Sequence, residues 1–150
     1  MTRNITELEE KMVIKKDNFK PITTALTTFA KPKLKNKPYY SVVLAENVKV
    51  TDKNAANIYF GQEITETNDL ITILENMMFE PEFNKNGDLT IMRYVGESLY
   101  NAFEEFFDIV APFVEPGSHI SFEGENQEFF QYAFDGKTMR EKAGTITWED

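Results

Sequence analysis

The sequence predicts a single α+β domain, an antiparallel β-meander at the C-terminal end covered on one face by helices, with a less regular helix-plus-strand part before it. Three observations predict it. Residues 118–134 alternate apolar and polar side chains twice around a turn cluster. The stretch ending at Ala111 carries the three-and-four spacing of an amphipathic helix. A length of 150 residues is that of one ordinary domain.

Taken in order, residues 5–12 read as a short N-terminal helix. From Asn18 onward, Phe19, Ile22, Leu26 and Phe29 recur at three and four residues. Asn18 can cap this helix, Pro21 falls in its first turn, and Lys31-Pro32 should end it. KPKLKNKP, residues 31–38, is bracketed by prolines and reads as an exposed connection. Residues 39–45 (YYSVVLA) predict a strand, followed by shorter ones at 47–50 and 58–60. A helix is expected over 68–78, with Leu70, Ile73, Leu74 and Met77 on one stripe, Thr67 as its cap and Pro81 as its stop. NKNGD, residues 84–88, is a turn between an arm at 82–84 and a strand at 89–94.

The clearest helix is expected over 97–111, before Pro112. Leu99, Ala102, Phe103, Phe106 and Val110 form its apolar stripe, while Glu97, Glu104 and Asp108 fall within about 40° of one opposite line and make an acidic ridge. In the hairpin that follows, Ile120, Phe122, Phe130, Tyr132 and Phe134 point one way, and His119, Ser121, Glu123, Phe129, Gln131 and Ala133 the other. Its turn, 124–127, carries Glu125 and is followed by Glu128. Asp135-Gly136 turns into a strand at 137–141, and GTITW at 144–148 supplies the last. Burying Phe122, Phe130, Phe134 and Trp148 contributes about 2 kcal/mol each before entropy is subtracted. Phe129 has no role in that core, which marks the outer face as a contact site and leaves a homodimer open.

The net charge of −9 divides unevenly. Residues 1–60 hold 11 Lys and Arg against 6 Asp and Glu; residues 61–150 hold 5 against 19. Either the basic part lies against the acidic part or each meets a different partner. No apolar run approaches the roughly 20 residues needed to span a bilayer, the first dozen residues lack the apolar core of a secretion signal, and there is no cysteine. A cytoplasmic protein without membrane contact is expected.

Several chemistries lack their residues. With one His and no Cys there is no metal-ligand spacing, no calcium loop and no phosphate-cradling glycine motif, so no metal or cofactor is expected. Ser121 and His119 lie on one strand face without a nucleophile-elbow motif. Glu123, Glu125 and Glu128 around the turn are the remaining acid/base candidates. The lysines at 31, 33, 35 and 37 lack interleaved arginine or aromatic residues, which argues against direct nucleic-acid binding.

Ala111-Pro112-Phe113-Val114, Gly117-Ser118-His119-Ile120, Gly124-Glu125-Asn126 and the aromatic run from Phe130 to Phe134 carry one likeness. Residues 69–148 resemble a set of small uncharacterised bacterial proteins with an APYV-like segment and a GSYI…GEDG…WRW.F-type C-terminal pattern. Asn126 stands where that pattern has aspartate, and Phe130 and Tyr132 where it has tryptophans. The resemblance implies the fold and a packing role for the aromatics, and carries no activity.

The expected function is that of a non-enzymatic, acidic protein-binding module. Glu97, Glu104 and Asp108, with Glu123, Glu125 and Glu128, would occupy a basic site on a partner protein, with Phe129 as an outer-face contact. A four-residue helix step of about 6 Å lets such a ridge imitate part of a DNA backbone. The partner would be a nucleic-acid-binding enzyme, as for phage-borne anti-restriction or anti-CRISPR inhibitors. The alternatives are an immunity or antitoxin protein that neutralises a basic toxin, and a small enzyme that uses the turn carboxylates with His119.

Overall fold

The N-terminal segment is not a helix. Residues 3–11 form strand β1 (Arg3–Lys11), which pairs antiparallel with β7 (His119–Gly124) and, at its start, with the two residues of β6 (Ser98–Leu99). An isolated eight-residue helix is marginal in water, whereas a strand between two neighbours satisfies backbone groups on both edges. The computed structural model describes residues 3–34, 38–42, 44–64, 69–99, 101–124 and 128–144.

The main sheet runs β6-β1-β7-β8-β9, every neighbouring pair antiparallel, with β8 (Phe129–Phe134) and β9 (Met139–Gly144) completing the meander. The molecule is therefore an α+β protein with the expected C-terminal meander, to which β1 is added. The Asp135 carboxylate accepts from the backbone N–H of Lys137 at 2.9 Å and of Thr138 at 2.8 Å, and Gly136 takes a φ of 94° that turns the chain into β9. Across the β7–β8 turn the Gly124 N–H donates to the Glu128 carbonyl at 2.7 Å. The tip of that turn, with Glu125 and Asn126, and the end of the expected last strand, with Trp148, lie outside the described residues.

The inner sheet face buries Ile120, Phe122, Phe130, Tyr132 and Phe134, as the alternation predicts. Helix α3 (Asn101–Val110) packs on it through Phe103 and Phe107. The Phe107 ring lies 5.3 Å from Tyr132 and 5.9 Å from Phe134, and Phe103 lies 6.2 Å from Phe122. The helix begins four residues later than its spacing predicts, so Glu97 and Leu99 are not on it. Pairing of Ser98–Leu99 with β1, and a hydrogen bond from the Tyr94 hydroxyl to the Ser98 carbonyl, hold that stretch extended. After Val110 a 3-10 turn, Ala111–Phe113, accommodates Pro112.

Helix α1 (Phe19–Lys33) buries Ile22 and Leu26 of the predicted stripe together with Ala30, while Phe19 and Phe29 of that stripe are partly buried. It continues through Pro32, because the buried Leu34 closes the last turn by donating to the Ala30 and Lys31 carbonyls. Asn18 does not cap with its side chain; its amide donates to the Phe113 carbonyl at 3.2 Å and ties α1 to the turn after α3. Strands β2 (Tyr39–Ser41) and β3 (Glu46–Val48) form a hairpin shorter than the expected strands.

The strand expected at 58–60 is a π-helical turn, Asn57–Gly61. A strand buries alternate residues, but here Asn57, Ile58, Phe60 and Gly61 are all buried, with the Phe60 ring 5.9 Å from Phe106 and 6.0 Å from Phe29. Helix α2 (Leu70–Asn76) is shorter than predicted and is capped by Asp69, whose carboxylate accepts from the Thr72 N–H at 2.8 Å; the expected cap, Thr67, lies outside the described residues. Pro81 does not stop this helix from afar. It sits in β4 (Phe79–Phe83), opposite Met92 of β5 (Leu89–Tyr94), in a two-stranded ribbon whose edge tolerates a missing N–H.

That ribbon is fastened to the main sheet by side chains. Glu7 and Glu10 of β1 point to the inner face, where the Tyr94 N–H donates to Glu7 Oε1 at 2.8 Å and the Met92 N–H to Glu10 Oε2 at 3.1 Å. Two carboxylates thus take the place of a backbone ladder between β1 and β5.

Candidate functional site

The six acidic positions expected to form one surface are dispersed. Glu97 is exposed in the bend before β6, beside a depression of about 400 Å³ lined by Gln62, Met78, Tyr94 and Ser98, so it leaves the ridge. Glu104 and Asp108 remain, exposed and one turn apart on α3. Glu123 lies on the opposite, outer side of the sheet; Glu128 is exposed at the start of β8; Glu125 is outside the described residues. The ridge breaks because the strand pairing of Ser98–Leu99 overrides a helical phase read from residue spacing alone.

Among the described residues no Lys, Arg or His forms an ion pair with Glu104, Asp108 or Glu123. Partial burial, and then the neighbouring Glu105 charge, raise the Asp108 carboxyl above its ordinary value. Glu105 itself is engaged: its Oε1 accepts from the Tyr59 hydroxyl at 2.6 Å, and burial followed by that bond pushes the Tyr59 phenol up to about 12. Helix α1 and the Asn57–Gly61 turn of the basic part pack on this helix, but among the described residues none of their lysines pairs with its carboxylates. Lys31 pairs with Asp52 at 2.8 Å, Lys15 with Asp88 at 3.9 Å, and the Lys33 ammonium lies 4.6 Å from the centre of the Phe29 ring.

The outer sheet face has a second kind of surface. Cross-strand register places Lys11, His119, Ala133 and Arg140 in one row, Glu9, Ser121, Gln131 and Lys142 in the next, and Glu123, Phe129 and Gly144 in the third. A β-bulge between Glu7 and Glu9 turns Leu8 out, 51% exposed, beside the third row. A shallow groove of about 520 Å³ crosses the face, lined by Leu8, Glu9, Ser121, Glu123, Phe129 and Lys142 among others, all of them residues of the sheet. Phe129 therefore sits where the alternation predicts. Leu8, Glu9 and Lys142 were not legible as neighbours, since β1 reads as a helix and only the β-branched Ile5-Thr6 pair hints at a strand.

His119, Ser121 and Glu123 share this face but do not assemble a nucleophile and base. The Ser121 hydroxyl accepts from the Gln131 amide at 2.9 Å, His119 Nδ1 lies 3.3 Å from the Gly117 carbonyl, and His119 Nε2 lies 3.6 Å from Glu9 Oε1. Among the described residues no group of three or more His, Asp or Glu side chains could hold a metal ion, and no helix is long and apolar enough to cross a membrane.

No protein-family model, curated protein or solved structure matches the chain.

Proposed function

We propose that the protein is a non-enzymatic binding protein that presents the acidic face of α3 to a basic site on a partner, in the manner of an inhibitor that imitates a nucleic-acid backbone. The observation that carries this reading is the pair Glu104 and Asp108, exposed one helical turn apart with no ion-pair partner among the described residues. Like charges held one turn apart repel, and contact with a cationic site relieves that repulsion. The favoured partner is a basic nucleic-acid-binding enzyme, the class met by anti-CRISPR and anti-restriction proteins. A basic toxin met by an immunity protein shares the electrostatics and is told apart by whether the captured protein binds DNA.

The test is affinity capture from the native host, comparing wild type with the Glu104→Lys, Asp108→Lys double variant. Wild type should retain a DNA-binding protein that elutes as salt rises and is displaced by competing duplex DNA, with at least tenfold weaker retention by the variant. Equal retention of the same protein by both would remove α3 from the binding surface.

A further inference from the structure

We propose that the outer face of the main sheet is the interface of a homodimer, two copies packing sheet to sheet about a two-fold axis. The face is self-complementary. Along β8 its outward residues are Phe129, Gln131 and Ala133, a large ring at one end and a methyl group at the other. The charges are graded in the same direction: Lys11 and Arg140 flank the row at the Ala133 end, and Glu123 stands in the row at the Phe129 end.

A two-fold axis lying between the sheets and crossing the strands at the row of Ser121 and Gln131 satisfies both gradients at once. It lays each Phe129 over the Ala133 of the other copy, so that a bulky side chain fills the space above a small one. It also sets each Glu123 over the His119 of the other copy, beside that copy's Lys11, so that a carboxylate faces an ammonium across the interface. The angle of roughly 30° between aligned packed sheets swings Glu9 and Lys142, at the flanks, away from their own images.

Strand spacing and rise give a contact patch on the order of 350 Å² in projection. That is less than half of the roughly 800 Å² per partner of a standard interface, so the dimer is weak and its population depends on concentration. It also leaves the two α3 helices on the outer surfaces of the pair, facing away from each other, because each packs on the inner face of its own sheet.

Sedimentation equilibrium of the full chain, from about 5 to 500 μM, tests the assignment. A monomer–dimer equilibrium is expected. Phe129→Ala should weaken it at least tenfold, Lys11→Glu and Glu123→Lys should each weaken it several-fold, and Lys11→Glu with Glu123→Lys together should recover most of the loss. The thermal midpoint of each variant, read in parallel, separates loss of the dimer from loss of the fold. A monomer throughout the range, or a dimer indifferent to these substitutions, overturns the proposal. Glu104→Lys with Asp108→Lys should leave dimerisation unchanged, so the partner-binding reading and the dimer stand or fall separately.

Discussion

Glu7 and Glu10 do structural work that their charge makes conditional on pH. Half-burial raises both carboxyls above the ordinary glutamate value of 4.5, and the hydrogen bonds from Tyr94 and Met92 only partly offset this. A raised carboxyl favours the folded state in its protonated form. Its stabilising contribution is therefore complete below the ordinary value of 4.5 and is lost as pH rises through the folded value. Asp88 and Asp135 act with the opposite sign. The Lys16 N–H lowers the first, the Thr138 and Lys137 N–H groups lower the second, and their contribution fades as pH falls below 3.8. Glu7→Gln with Glu10→Gln keeps an acceptor for each N–H and removes both titrations. Urea unfolding across pH 4.5–7.5 should show a smaller decline in stability with rising pH than in wild type. An unchanged slope would mean the two carboxyls titrate normally. The corresponding alanines would leave the β5 N–H groups unsatisfied, at about 1–3 kcal/mol each.

At the scale of elements, α3 is the one the core is built around. Phe107 is fully buried and meets Phe79, Phe103, Phe106, Tyr132 and Phe134, so it joins the ribbon, the helix and the main sheet. Phe107→Ala should cost about 3–5 kcal/mol in chemical unfolding, and a loss below about 1 kcal/mol would show that the cluster closes over the gap. The apolar face of α3 was legible because four of its five buried residues recur at helical spacing, whereas its start was not. Ser98 and Leu99 answer to β1, and no local pattern records a partner more than ninety residues away. The same blindness turned Asn57–Gly61, buried at all but Tyr59, into an expected strand over 58–60.

For the whole molecule, the described ion pairs leave several carboxylates of the acidic part without a cation. Lys15 and the Lys16 N–H bind Asp88 across the two parts, but no cation among the described residues reaches Glu104, Asp108 or Glu123. Self-repulsion of that kind is screened by salt. Raising NaCl from about 20 mM to 500 mM should stabilise the fold by on the order of 1 kcal/mol, a rise of several degrees in the thermal midpoint. A midpoint that falls or stays level would show that attractive pairs dominate instead. This gain is reported by stability alone, so it is distinct from the salt-sensitive loss expected for partner binding.

Sequence by itself determined the fold class, the meander, its Asp135-Gly136 turn and the sorting of Ile120, Phe122, Phe130, Tyr132 and Phe134 from Phe129 and Glu123. Each of these rests on local rules: a period of two fixes the face, and turn residues fix the reversal. Only the tertiary structure decided that residues 3–11 are a strand, that Glu97 leaves the acidic ridge, and that Leu8, Phe129 and Lys142 share a groove. Those outcomes depend on backbone and carboxylate hydrogen bonds across separations such as the 87 residues between Glu7 and Tyr94, where the gain comes from satisfying a distant edge and leaves no periodicity in the chain.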